Sequence, residues 1–266
     1  MHKSLSIVIP VYNEEQLLER CLQSIAKQTV QPDQVIVVDN NSTDRTVEVA
    51  KRFPFVTLLH ERKQGIVYAR DTGFNAVTSD IICRIDGDTV LPTDWTYRVR
   101  RFFGSPHNKN HALTGGGYFY NVRLPKFNGW VQSQLVFRLN RLIIGHYILW
   151  GSNMAITRDQ WYAVRNMVCL RDDIHEDLDL SFHLCDQGIK ITYRAHLRIG
   201  AYVKRVFSDR EHLHAHMDRW PQSLRVHGYK RWPLILSVNW LLWFVVQPLG
   251  FALEYISQLF GKKPLN

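Results

Sequence analysis

Ile81-Ile82-Cys83-Arg84-Ile85-Asp86-Gly87-Asp88 is an apolar run that closes on two carboxylates one residue apart. The run has the length and composition of a buried strand. Side chains alternate between faces along a strand, but past its end a turn can bring both carboxylates to one cation, and Gly87 permits that turn at no steric cost. Carboxylates suit a hard divalent ion, Mg2+ or Mn2+, which keeps several waters and binds phosphate oxygens. An Asp-Gly-Asp also makes an ordinary surface turn, so the flanking sequence has to decide.

Upstream of this run, strand and helix patterns alternate. Leu5 to Pro10 reads as a first strand. Asn13-Glu14-Glu15 starts a helix whose apolar positions Leu17, Leu18, Cys21, Leu22 and Ile25 follow a 3.6-residue stripe. Val35 to Val38 is a second strand, followed by the polar turn Asp39-Asn40-Asn41-Ser42-Thr43-Asp44 and a helix from Arg45 to Phe53. Val56 to Leu59, a helix from Gly65 to Ala76, and Ile81 to Ile85 complete the series. Repeated β-α-β units imply an α/β fold with a mostly parallel sheet covered by helices. Ligands of such sheets sit beyond the carboxyl ends of the strands. Three polar clusters fall there: Tyr12-Asn13-Glu14, Asp39-Asn40-Asn41 and Asp86-Gly87-Asp88.

The second half is less regular. Gly115-Gly116-Gly117 marks a close backbone approach, a bulge or a mobile turn. Trp130 to Ile144 and Leu178 to Gln187 read as helices, the latter ended by Gly188, and Ile189 to Tyr193 as a strand. Neither G-x-x-x-x-G-K-[ST] nor G-x-G-x-x-G occurs.

The 266 residues carry 45% hydrophobic and 21% charged side chains, which excludes wholesale disorder, and a formal charge of +9, which favours an anionic partner. The four cysteines are scattered and read as reduced core residues of a cytosolic domain. The chain opens without an export signal pattern. From Ala201 to Trp232 basic side chains outnumber acidic ones, giving either a lipid-facing segment or a solvated face. Pro233 to Leu253 then contains no charged residue, long enough for a membrane span, an in-plane or re-entrant hairpin bent at Pro248, or a buried helix. Residues 1–200 are expected to form the catalytic domain, and 201–266 the basic segment with an apolar, membrane-associating tail. No aromatic platform is interleaved with the basic residues, so nucleic acid is not expected as a partner.

Five stretches, in this order and spacing, resemble the family 2 glycosyltransferases of the GT-A fold: Ser6 to Glu15, Val37 to Asp44, Gly65 to Gly73, Asp86-Gly87-Asp88 and Glu176-Asp177-Leu178-Asp179-Leu180. The resemblance implies an inverting transferase with a nucleotide-diphosphate-sugar donor, UDP- or GDP-linked. Pro10, Tyr12 and Glu14 would line the nucleoside pocket. Asp39 would accept from base or ribose, or simply cap the next helix. Arg70 would reach the diphosphate, or lie on a helix surface. Asp86 would face the ribose and the metal, with Asp88 as the direct metal ligand. Gly151 and Asn153 would lie near the donor sugar, as would Ser152. Asp177 would be the base on the acceptor hydroxyl, with Glu176 the alternative; both could instead be charges favoured at a helix N-terminus. Among His212, His214 and His216 one could complete the metal site. His216-Met217-Asp218-Arg219-Trp220 keeps the Arg-Trp but lacks the Gln of the processive Gln-x-x-Arg-Trp motif, which favours single transfer. The expected acceptor is a lipid-linked or cell-surface glycan at the cytosolic membrane face. A non-catalytic subunit binding nucleotide or lipid is the rival reading.

Overall fold

The computed structural model describes residues 3–121, 129–130, 133–202 and 210–235. Its first half repeats one unit: β1 (Leu5–Val11), α1 (Leu18–Ala26), β2 (Gln34–Asp39), α2 (Thr46–Lys51), β3 (Val56–His60), α3 (Ile66–Ala76) and β4 (Ile81–Arg84). There follow α4 (Trp95–Gly104), β5 (His111–Phe119), a π-helical stretch (Ser133–Leu139) running into α5 (Asn140–Ile144), β6 (Met154–Thr157), α6 (Arg158–Val164), α7 (Glu176–Asp186), β7 (Lys190–Ala201) and α8 (Arg210–Val226).

The described strands form one seven-stranded sheet in the order β3-β2-β1-β4-β6-β5-β7. β1 to β4 are parallel, β6 runs antiparallel to both β4 and β5, and β5 pairs parallel with β7. Strand periodicity explains how this sheet is covered. Leu5, Ile7, Ile9 and Val11 are buried with Leu18, Leu22 and Trp95 of α1 and α4. Val8 points the other way and packs with Ala69, Trp161 and Leu180 of α3, α6 and α7. The same split separates Ile81 and Cys83 from Ile82. Gly73 lets α3 sit directly on the sheet, since a β-carbon there would lie 2.3 Å from Val8 Cγ1. Both faces are therefore covered, which accounts for strands that read as continuous apolar runs.

Several boundaries differ from the sequence expectation for identifiable reasons. α1 begins at Leu18 because the preceding backbone is used elsewhere. Asn13 takes a left-handed φ of 54°, the Glu14 N–H donates to Thr46 Oγ1 at 2.7 Å, and the Glu15 N–H donates to Asp44. α7 begins at Glu176, so the two acids form its first turn. β7 runs on to Ala201, eight residues beyond the expected Tyr193. Gly115 to Gly117 lie inside β5 beside a register shift with β7: Gly115 pairs with Arg194 and Gly117 with Ile199, so the extra residues are on β7 and the glycines serve the close backbone approach. A β-carbon on Gly115 would fall 1.9 Å from the Leu197 carbonyl oxygen.

Leu224 and Ile235 pack with Leu178 and Phe182, so the segment around α8 joins the same layer as α7. Among the described residues no helix is long and apolar enough to cross a membrane. The apolar tail lies outside the described residues from position 236 onward, as do the side chains of His212, His214 and His216. All four cysteines are free; Cys21 and Cys83 are buried, while Cys169 and Cys185 are partly exposed rather than core residues.

Candidate active site

After β1 the chain builds β2 and β3 on one side, then crosses back to lay β4 on the other. That reversal opens a crevice at the carboxyl ends of β1 and β4, the usual ligand position of an open α/β sheet. Tyr12 and Glu14 leave β1 there, and Asp86, Gly87 and Asp88 leave β4. The two turns touch: a β-carbon on Gly87 would stand 3.1 Å from both Glu14 Cγ and Val11 Cγ1.

Arg84, the one charged residue in the apolar run, organises the floor. It lies on the sheet face shared by Val8 and Ile82, beneath the start of α7, and is buried. Its guanidinium meets Glu176 Oε1 at 2.7 Å and Asp86 Oδ1 at 2.9 Å. Against the cost of burial, Glu176, Asp86 and Asp177 push its pKa up, so it stays protonated. Ser152 Oγ donates a short hydrogen bond to Asp86 Oδ2. The Gly151 N–H donates to Asp177 Oδ2 at 2.9 Å, and the Leu178 N–H donates to Oδ1 at 2.9 Å. Asp86, Gly151, Ser152, Glu176 and Asp177, far apart in sequence, thus surround one arginine.

The two acids of α7 differ. Glu176 is buried, with one carboxylate oxygen on Arg84 and the other 3.1 Å from Arg70. Burial raises its pKa against the pull of both arginines. Asp177 is partly exposed and held by two backbone N–H groups. Burial raises its pKa too, opposed by Arg84 and by those donors. A carboxylate with a raised pKa and lone pairs to spare can accept a proton from a hydroxyl.

Two residues expected to touch the donor are committed elsewhere. Arg70 is completely buried; it bonds the Glu176 carbonyl at 2.8 Å and carboxylate at 3.1 Å, and pairs with Asp71 at 2.8 Å. It is neither on a helix surface nor open to a diphosphate: it ties α3 to the first turn of α7. Asn153 is also fully buried. Its Oδ1 accepts from Trp95 Nε1 at 3.0 Å, and its amide donates to the carbonyls of Gly116 and Leu197. It joins α4, β5 and β7 beneath the site.

Asp39, at the end of β2, is buried, accepts from the Ser42 N–H and meets His60 Nδ1 at 3.0 Å. His60 was not singled out in the sequence, since only the β2–β3 register places it opposite Asp39. Pro10 is buried in β1 and Tyr12 is half exposed. Asn40 binds the carbonyls of Glu61 and Lys63 and the Gly65 N–H, locking the loops after β2 and β3 together. Arg84 and Ser152 are the site residues that sequence reasoning passed over or left peripheral; the signal for Arg84 was a charge inside an apolar strand.

The donor set at the β4 turn fits a hard divalent cation. Asp88 and Asp86 supply oxygen, and with Glu14 they create enough negative potential to add to burial in raising the Cys21 thiol pKa. The Asp88 carbonyl is fixed by the Tyr120 hydroxyl at 3.1 Å.

The profile described as "Glycosyl transferase family 2" matches residues 6–159. The fold is an α/β fold of GT-A type, and the chain belongs to glycosyl transferase family 2. It is similar to the glycosyltransferase AglE of Haloferax volcanii, with 35% identity over 101 residues, covering 35% of this chain and 33% of that protein. The chain spans about a third of the length of the curated relatives it matches. Among solved structures, the mannosyltransferase PcManGT of Pyrobaculum calidifontis, in complex with GDP-Man and Mn2+, superposes with a TM-score of 0.64 at 19% identity, covering 99% of this chain and 77% of that one. S. aureus TarS 1-349 with UDP-GlcNAc gives 0.62 at 18% identity, covering 84% and 65%. These likenesses establish the fold.

Proposed function

We propose that this chain transfers a sugar, with inversion, from a UDP- or GDP-linked donor to a hydroxyl of a lipid-linked or cell-surface glycan, and that Asp177 is the base. The observation that carries this is the geometry of Asp177: beside the crevice, partly exposed, fixed by the Gly151 and Leu178 N–H groups, with a raised pKa. The acceptor O–H proton passes to the Asp177 carboxylate as the oxygen bonds to the anomeric carbon. The bond from that carbon to the diphosphate oxygen breaks, and its electron pair leaves with the nucleotide. Glu176 cannot share the proton transfer while Arg84 and Arg70 hold both its oxygens. It positions Asp177 by anchoring the helix turn that carries it.

Asp88 and Asp86 would hold a Mg2+ or Mn2+ ion, which when bound neutralises charge on a departing diphosphate. Asp39, Tyr12, Glu14 and Pro10 line the neighbouring strand ends, where the nucleoside would sit. The basic and apolar C-terminal stretches support an acceptor at the cytosolic membrane face, because anchoring raises the local concentration of a lipid-linked substrate.

The test combines binding and transfer. The protein is incubated with Mn2+, labelled UDP- or GDP-sugars and a membrane lipid extract. Label is expected in the lipid or glycan fraction with wild type and not with Asp177→Asn. The donor should still raise the melting temperature of that variant; a ligand at 100 times its Kd adds about 2.7 kcal/mol. If no nucleotide sugar shifts the wild-type melting temperature, the transferase reading falls and a binding-subunit role replaces it.

A further inference from the structure

A second cluster of ligating side chains lies on the opposite side of α7, and the transferase reading makes no use of it. Asp179 is fully buried two residues after Asp177. Residues two apart on a helix face away from each other, so Asp179 points from the crevice toward the segment after α8. His227 Nε2 meets its Oδ1 at 2.9 Å, and His183 Nε2, one turn further along α7, stands 3.4 Å from the same oxygen. The Cys169 N–H donates to Oδ2 at 2.9 Å. One ligand atom each from Cys169, Asp179, His183 and His227 lies within 4.8 Å of every other.

We propose that Cys169, Asp179, His183 and His227 form a structural zinc site. Tetrahedral zinc binds thiolate, imidazole and carboxylate at about 2.0–2.3 Å, which places the ligands roughly 3.3–3.8 Å apart. The 3.4 Å separation of His183 from Asp179 meets that, the 2.9 Å contact of His227 has to lengthen by a few tenths of an ångström, and modest rotation of the thiol and imidazole groups closes the rest. Charge points the same way: one thiolate, one carboxylate and two neutral imidazoles neutralise a dication, which suits a site built around the fully buried Asp179. The Asp179–His227 pair could stand alone as a hydrogen bond, but it leaves His183 unexplained. Both ring nitrogens of His183 are buried; among the described residues Nδ1 has no hydrogen-bond partner and Nε2 has only the long 3.4 Å approach to Asp179. Such groups are costly unless a partner is supplied. The oxygen-rich cluster at Asp86 and Asp88 suits harder ions, so two chemically distinct sites share one chain. Four protein ligands leave no open position, so the zinc would staple α7 to the chain beyond α8 rather than join the reaction.

The test uses the full chain and zinc alone as probe. Metal analysis after desalting should find one zinc per chain, and a strong chelator should remove it and lower the melting temperature, which added Zn2+ restores. Cys169→Ser and His227→Ala should lose the zinc, while Asp88→Ala should keep it. Should the variants fail to fold, Co2+ exchanged into wild type reads the site directly: tetrahedral cobalt with a thiolate ligand gives intense visible bands and a near-ultraviolet sulfur-to-metal transition. A zinc-free protein with no melting response to Zn2+ overturns the proposal. So does zinc that persists in both Cys169→Ser and His227→Ala, or a cobalt spectrum without the sulfur transition.

Discussion

Arg84 and Gly151 occupy adjoining space so closely that neither tolerates growth of the other: a β-carbon on Gly151 would fall 1.7 Å from Arg84 Nη1 and 2.6 Å from its Cζ. The arginine cannot swing aside, because Glu176 and Asp86 hold it in a buried position. Gly151→Ala is therefore expected to displace the guanidinium and break the Gly151 N–H bond to Asp177. Overpacking of this kind costs about 1–3 kcal/mol, and here it also misplaces the proposed base. Denaturant titration should show that loss, with transfer activity falling at least tenfold in protein that remains folded.

Arg70 separates a structural role from a ligand-binding one. Its guanidinium is enclosed by Glu176 and Asp71, so Arg70→Ala leaves the partly buried Asp71 without its counter-charge and the buried Glu176 with Arg84 alone. Removing one partner of a buried pair costs about 3–5 kcal/mol. The expected result is a large drop in the urea midpoint with little change in donor Kd for the fraction still folded. A variant of normal stability that binds the nucleotide sugar much more weakly would instead place Arg70 on the diphosphate.

The contrast between Arg84 and Arg70 shows what the sequence could carry. β1 to β4 were legible because both sheet faces are covered, so each strand is a short apolar run bounded by polar residues. The polar clusters after β1, β2 and β4 converge because parallel strands place their ends at one edge, a consequence of topology that spacing alone implies. What spacing does not carry is which way a side chain faces. Arg70 and Asn153 sit inside recognisable motifs yet point into the protein, whereas Arg84 sits in a core strand and is answered by Glu176, 92 positions later. β7 was read short because Arg194, His196 and Arg198 interrupt its apolar pattern. Those residues are not buried, while Leu197 and Ile199 turn inward against β5.

Asn153→Asp tests the scaffold beneath the site. The amide donates to the carbonyls of Gly116 and Leu197, and a carboxylate would set an acceptor against two acceptors. Each unsatisfied buried group costs about 1–3 kcal/mol, more when charged. The variant is expected to melt well below wild type. Because the new acid would be driven toward its neutral form by burial, its stability deficit should shrink as pH falls toward the carboxylate range. A variant as stable as wild type at neutral pH would show that the amide's bonds to the Gly116 and Leu197 carbonyls contribute little.

Asp177 should oppose stability to activity. Its pKa in the folded protein is raised by burial, so the ionised carboxylate is disfavoured by folding. For a group raised in this way the favourable contribution exists below the unfolded pKa and disappears as pH rises through the folded value. At neutral pH the charge is thus a cost. Asp177→Asn removes it and sacrifices one of the two N–H bonds to the carboxylate, worth about 1.5–3 kcal/mol, which offsets the gain. The variant should be close to wild type in stability at pH 7, and relatively less stable than wild type as the pH drops below the raised pKa. Its transfer rate should collapse, because an amide cannot take the acceptor proton. In wild type the acid limb of the rate profile should lie above the ordinary aspartate range, and the Asn variant should lack that limb. Paired denaturation and initial-rate measurements across the acid range check both halves. An Asn variant that transfers sugar at the wild-type rate would remove Asp177 from the mechanism.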